Sequence, residues 1–238
     1  MIATLAKGET KITNASKEPE VVDLAKCLNQ MGAKIKGAGT KKIIIQGVNN
    51  LFETEYSIMS DRIVAGTYMI AAIMLKSEFV INNIDPNFLS IPIKVLQKMG
   101  ANLEIGDRYI KVLPSGNLKG CGIETLPYPG FPTDLQAQMM ALMSLSKGNS
   151  RIKENIFENR FMHVPELNRL GAKITVIKDT AYIKGGQKFK GAQVMASDLR
   201  ASVSLVLAGL CAEGETTINR VYHLDRGYEK IEETLGKC

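Results

Sequence analysis

Residues 132–145 read PTDLQAQMMALMSL and residues 196–210 read ASDLRASVSLVLAGL, an acid at the mouth of an apolar stretch in both cases. A third copy of the phrase, SDRIVAGTYMIAAIML, stands at 60–75. Each opens with Ser or Thr followed by Asp, the side chains that best accept hydrogen bonds from the free amides of a helix's first turn. The phrase therefore predicts three apolar helices that start on Asp61, Asp134 and Asp198. Asp134 has a second reading. PYPGFPTD at 127–134 sets three prolines and a glycine ahead of it, a stiff entry that would fix the carboxylate, and a fixed carboxylate beside arginines can serve as a general base.

The phrase belongs to a longer repeat, and a period of this size decides the architecture. After each apolar helix the chain breaks at KSE, KGN or GET, runs through a short strand (FVINN, RIKEN, TTINR), and enters a second amphipathic segment. TKITN at the start of the chain follows GET in the same way. The second segments, PEVVDLAKCLNQM, SIPIKVLQKM, VPELNRL and YEKIEETL, carry apolar residues at helical spacing. They close on Gly32, Gly100, Gly171 and Gly236, at intervals of 68, 71 and 65 residues. Glycine directly after three of these helices suits a left-handed cap. Two alternating strands follow, as in AKIKGAGTKKIIIQG and AKITVIKDTAYIKGG. The fold class expected is α/β, built from about four such units. The first unit is expected to begin at Met1 inside its first helix and the fourth to stop at Cys238 before its hairpin, so the set looks truncated at both ends.

Composition narrows the function classes. With 238 residues, 45% hydrophobic and 23% charged, the chain has the make-up of a folded globular protein. No apolar run reaches the roughly 18 residues of a membrane span, and MIATLAKGETK lacks the order of a signal peptide; a cytoplasmic protein is expected. Cys27, Cys121, Cys211 and Cys238 are scattered, and only His163 and His223 accompany them. No metal site is expected from that spacing. Cys27 and Cys211 read as small core residues. The net charge of +6 is spread along the chain, and only 6% of residues are aromatic. Nucleic acid is not the expected partner, because it favours a clustered basic stripe with stacking rings.

The arginines stand where helix electrostatics disfavours them. Arg62 follows Asp61, Arg200 lies two residues after Asp198, and Arg226 precedes a helix expected to begin near Gly227. Lys17 and Arg160 occupy the loops before second helices. The positive pole of a helix start repels cations by about 0.3–1 kcal/mol each. Side-by-side packing of the units would gather these groups on one rim, suited to phosphate and carboxylate groups. Pairing of each Arg with a neighbouring Asp is the alternative. His163 and His223 can either exchange protons or hold loops.

FPTDLQAQ (131–138), ENIFENRFMHVPEL (154–167), GAQVMASDLRAS (191–202) and AEGETTINRVYHLDRGYEKIEE (212–233) together resemble the bacterial UDP-N-acetylglucosamine enolpyruvyl transferases, within the EPSP synthase-like superfamily. EPE at 18–20 and SDRIVAGTYM at 60–69 fit as well. The resemblance implies an inside-out α/β barrel of six units in two domains. It implies transfer of the enolpyruvyl group of phosphoenolpyruvate to the 3-hydroxyl of UDP-N-acetylglucosamine, the first committed step of peptidoglycan synthesis, without metal or organic cofactor. By motif, Asp134 resembles the carboxylate that contacts the sugar hydroxyl and takes its proton. Ile156 corresponds to a backbone contact with the nucleotide sugar. Arg160, Arg200 and Arg226 match arginines around phosphoenolpyruvate, and Asp198 matches a second acid near the reacting carbon.

The resemblance is to the family's second half. Residues 1–58 then correspond to a remnant unit of the first domain and 59–238 to a second domain of three units. The Lys-Asn pair and the Cys-bearing loop of the family's first half have no match here, so the chain alone is expected to be inactive, with the missing N-terminal half as a partner. A non-catalytic anion-binding module and transfer to shikimate 3-phosphate are the competing readings. NIFENRFMHVPEL and YHLDRGYE favour the nucleotide sugar over the latter.

Overall fold

The computed structural model describes residues 1–236; Cys238 and the end of the fourth repeat lie outside the described residues. The chain forms two units, Met1–Ser60 with Pro127–Pro129, and Asp61–Leu126 with the residues from Gly130 onward.

In the first unit a 3-10 turn, Ile2–Thr4, stands where a first helix was expected. Strand β1 (Glu9–Thr13), helix α1 (Pro19–Gln30) and strands β2 (Lys34–Lys36) and β3 (Lys42–Gln46) follow. The three strands form an antiparallel sheet in the order β1-β3-β2. Proline suits the start of α1 because its missing amide hydrogen is not needed there. Tyr56 donates to Asp23 Oδ1 at 2.8 Å and so fastens the extended segment before Ser60 to α1.

The second unit repeats one plan three times. Its elements are α2 (Arg62–Leu75), β4 (Phe79–Asn82), α3 (Ser90–Met99), β5 (Asn102–Ile105), β6 (Tyr109–Leu113), β7 (Gly122–Glu124), α4 (Gln136–Leu145), β8 (Asn149–Lys153), α5 (Val164–Arg169), β9 (Ile174–Ile177), β10 (Thr180–Lys184), β11 (Gln193–Met195), α6 (Leu199–Leu210), β12 (Thr217–Asn219) and α7 (Ile231–Leu235). The sheets run β4-β6-β5, β7-β8-β10-β9 and β11-β12. β7 pairs in parallel with β8 across α4, and β11 with β12 across α6. A parallel pair needs such a crossover connection. The short strands β7 and β11 were not anticipated, because three residues are too few to show alternation.

Helices α2, α4 and α6 pack against one another and are apolar on nearly every side, the pattern of a helix that no face leaves in water. In α4 every residue from Gln136 to Ser144 is buried. Each fully buried Leu or Met there contributes about 1.5–3 kcal/mol relative to exposure. The strands alternate buried and exposed positions, so each sheet turns one face to this helical core. Gly32, Gly100 and Gly171 end their helices at φ of 100°, 105° and 102°, as the repeat predicted. Gly236 does not, with φ −70°. The last segment also differs from expectation. Val221–Arg226 is a 3-10 run and α7 begins only at Ile231, so Arg226 ends a turn and does not precede a helix at Gly227.

Candidate anion and proton-transfer site

The three helix-opening aspartates have separated roles. Asp61 Oδ1 accepts from the amides of Ile63 at 2.8 Å and Val64 at 2.9 Å, and caps α2. Asp198 Oδ1 accepts from Arg200 at 2.9 Å and Ala201 at 3.0 Å, and caps α6. Asp134 caps nothing, which corrects the sequence expectation. It sits inside the 3-10 turn Thr133–Leu135, and α4 starts two residues later at Gln136, with Leu135 at the cap position and no side-chain acceptor there. The extra turn withdraws Asp134 from the cap and frees both carboxylate oxygens.

Two arginines take them. Arg160 Nη2 donates to Asp134 Oδ1 at 2.8 Å, and Arg200 Nη2 donates to Oδ2 at 3.1 Å. Arg160 also lies over the Phe157 ring, 4.7 Å from its centroid. Arg226, Asp198, Arg160 and Arg200 line one cavity of about 410 Å³. The basic rim foreseen in the sequence thus exists for three arginines. Arg62 is buried and stays out of the lining. Lys17 belongs to the other unit. Ile156 is not brought to this cavity; with Arg160 it lines a neighbouring groove of about 990 Å³, bounded by Val176, Lys178 and Asp179.

Arg200 is held from behind. It hydrogen-bonds the Tyr228 hydroxyl as well as Asp134, and burial opposes its charge while these two partners more than restore it, so its pKa is raised. Tyr228 is 2% exposed, and burial pushes its phenol up. Its hydroxyl lies 2.8 Å from Thr67 Oγ1. Gln138 Nε2 donates to Thr67 Oγ1 and to the Asp134 carbonyl, both at 3.0 Å. A buried polar chain therefore runs from α2 through α4 to Arg200 and Asp134. Tyr228, Thr67 and Gln138 were not singled out from the sequence. Nothing in their spacing marks them, since they come from three separate repeats.

Of the two histidines, His163 is 3% exposed and does not line the cavity. Desolvation lowers its pKa to about 4, against a smaller raising effect of Asp198, so it is a neutral packing group at pH 7. Cys27, Cys121 and Cys211 carry free thiols. Burial pushes the Cys211 thiol up to about 11, far from a thiolate nucleophile. Among the described residues no group of three His, Cys, Asp or Glu is placed to hold a metal ion, and no helix is long and apolar enough to cross a membrane.

Comparison with known proteins bears on this geometry. The family model described as EPSP synthase (3-phosphoshikimate 1-carboxyvinyltransferase) matches residues 1–235. The UDP-N-acetylglucosamine 1-carboxyvinyltransferase of Paramagnetospirillum magneticum is 55% identical over 239 aligned residues, covering 100% of this chain and 55% of that protein. The protein of the same name from Rhizobium etli is 55% identical over 100% of this chain and 56% of its own length. The chain thus spans just over half the length of these relatives. Among solved structures, the enolpyruvyl transferase NikO from Streptomyces tendae superposes with a TM-score of 0.91 at 27% identity, over 99% of this chain and 57% of that one. EPSP synthase from Acinetobacter baumannii shares the fold, with a TM-score of 0.74 at 23% identity over 98% of this chain and 57% of that one. With the family match running across nearly its whole length, and with the mixed α/β fold in common, the chain belongs to the EPSP synthase family.

Proposed function

We propose that this chain carries the reacting-carboxylate half of a site that transfers enolpyruvyl from phosphoenolpyruvate to the 3-hydroxyl of UDP-N-acetylglucosamine. The observation that carries the reading is Asp134, whose two oxygens are each held by an arginine beside a cavity that Arg226 and Asp198 also line. Its ion pairs place a proton acceptor and fixed cations within one hydrogen-bonded group. As the sugar hydroxyl attacks C2 of phosphoenolpyruvate, Asp134 takes the hydroxyl proton. C3 gains a proton, and Arg160, Arg200 and Arg226 stabilise the phosphate and carboxylate of the tetrahedral intermediate. Phosphate then leaves C2 as C3 gives up a proton and the C2–C3 double bond re-forms, so no electrons are gained or lost. Asp198, at the amino end of α6, is the second acid beside the reacting carbon, and the Ile156 backbone contacts the nucleotide sugar.

The relatives extend beyond the matched segment, and residues from that part would supply the proton donor for C3 and the grip on the uridine. On this reading residues 1–58 belong to a first domain and 59–238 to a second. The reaction is a cytoplasmic step of peptidoglycan synthesis and so supports cell-wall growth, cell shape and division. The names of the 55% identical relatives support the nucleotide sugar as acceptor over shikimate 3-phosphate.

Thermal unfolding of the purified chain with each acceptor tests the choice. UDP-N-acetylglucosamine is expected to raise Tm and shikimate 3-phosphate to leave it unchanged; the reverse result overturns the assignment. Phosphate release is expected only when the rest of a relative is added in trans. Release by the chain alone, abolished in Asp134→Asn, would show that the chain suffices.

A further inference from the structure

Asp134 and Arg160 come from different segments, the 3-10 turn ahead of α4 and the loop after β8. Besides their own ion pair, the side chain of Glu154 joins those segments. Glu154, directly after β8, is 4% exposed. Its Oε1 accepts from Thr125 Oγ1 at 2.7 Å, from the amide of Ile156 at 2.9 Å and from that of Phe157 at 3.2 Å. Its Oε2 accepts from Thr133 Oγ1 at 2.8 Å. Thr133 is the chain neighbour of Asp134, and Ile156 and Phe157 open the loop that leads to Arg160. Thr125 closes the ring, since its hydroxyl accepts from the Asn155 amide at 2.9 Å and its carbonyl from Asn155 Nδ2 at 3.2 Å.

Burying a carboxylate is costly unless its lone pairs are used, and four donors use them here. Hydrogen bonds to an ionised acceptor are about twice as strong as neutral ones. We propose that Glu154 is a positioning residue for the reacting carboxylate: by clasping Thr133 on one side and the Ile156 and Phe157 amides on the other, it sets the Asp134–Arg160 geometry without touching substrate. Its meaning for catalysis rests on the function proposed above, while the clasp can be tested apart from that function. The chemistry of substitution is graded. Gln keeps one acceptor oxygen and offers an amide to a Thr133 hydroxyl that can turn to receive it. Asp withdraws the carboxylate by one methylene, about 1.5 Å, too far to reach both sides. Misplacement of this size is costly where geometry controls rate.

The experiment uses the isotope-labelled 238-residue chain and the variants Glu154→Gln, Glu154→Asp, Glu154→Ala and Thr133→Val. Amide exchange at Ile156 and Phe157, the guanidinium resonances of Arg160, and the affinity for UDP-N-acetylglucosamine by calorimetry are read for each. In Glu154→Asp and Glu154→Ala the two amides are expected to exchange at least about tenfold faster and the affinity to fall about tenfold. The Arg160 signal should merge with those of exposed arginines, while the Asp198-capped amides of Arg200 and Ala201 stay unchanged. Glu154→Gln should restore most of each signal. Thr133→Val should alter the Arg160 signal and spare the protection of Ile156, which keeps the proposal decidable if Glu154→Ala does not fold. An Arg160 signal unchanged in Glu154→Asp and in Thr133→Val, with only Tm reduced, overturns the proposal. If the unsubstituted chain binds no nucleotide sugar, the functional reading fails for this chain, and the Arg160 signal still decides the clasp.

Discussion

Asp134 lies between two cations, and removing its charge leaves Arg160, Arg200 and Arg226 to face one another across the cavity. Partly exposed ion pairs contribute little to stability, about 0–1 kcal/mol each, so Asp134→Asn is expected to lower Tm only slightly. The same change removes the carboxylate that is ion-paired with both Arg160 and Arg200. Inorganic phosphate, titrated by calorimetry, should therefore bind several-fold more tightly to the variant; weaker binding would mean that the carboxylate organises the arginines more than it neutralises them. His163 supports a second prediction. Its pKa is depressed from 6.5 to about 4 by burial, so below pH 6.5 the unfolded chain takes a proton that the folded imidazole refuses until about pH 4. The stability from the neutral ring is full above pH 6.5 and is lost as pH falls towards 4, in total about 3 kcal/mol. Denaturant titrations at pH 7 and pH 5 should show this slope in the native chain and a smaller one in His163→Gln.

The three apolar helices share a sequence phrase but not a way of starting. Asp61 spends its carboxylate on two amides of α2, so Asp61→Ala should destabilise the protein by about 1 kcal/mol, whereas Asp61→Asn, an equally good cap, should change little. Asp134→Ala carries no such capping loss, because α4 begins past it. Chemical denaturation of the three variants checks the ordering, and a loss for Asp134→Ala equal to that for Asp61→Ala would contradict it. The second helices illustrate what periodicity can and cannot convey. PEVVDLAKCLNQM and SIPIKVLQKM give α1 and α3 at nearly their predicted lengths. YEKIEETL gives only Ile231–Leu235, since Tyr228 is drawn into the Arg200 network and Lys230 takes φ 47° ahead of the helix. A competing tertiary contact shortened that element.

Packing between the repeats sets the position of Asp134. Gly66 on α2 lets Leu135, the residue after Asp134, come so close that a Cβ there would lie 2.6 Å from Leu135 Cδ1. Leu135 is fully buried and has nowhere to retreat. Alanine gains helix propensity of about 1 kcal/mol over glycine, and the overpacking costs about 1–3 kcal/mol. Gly66→Ala is thus expected to be destabilising on balance and to shift the backbone amide resonances of Asp134; an increase in Tm would show that the core yields at this point. Gly227 repeats the device beside Arg226, with a Cβ there 2.9 Å from Leu199 Cδ2.

The α/β class, the repeat, the glycine-closed helices and the arginine-bearing loops followed from the sequence alone, because periodicity, caps and turn residues act over a few neighbouring positions. The motifs resembling enolpyruvyl transferases also mark Asp134, Arg160, Arg200 and Arg226. The partners of Asp134 were decided only by tertiary structure. Locally it matches Asp61 and Asp198, and local logic assigns all three to caps. Its carboxylate instead meets arginines 26 and 66 positions away in the chain, and Glu154, which ties the two segments together, acts from 21 positions beyond Thr133. Pairings at such separations depend on how the repeats pack, and that is information no short window of sequence contains.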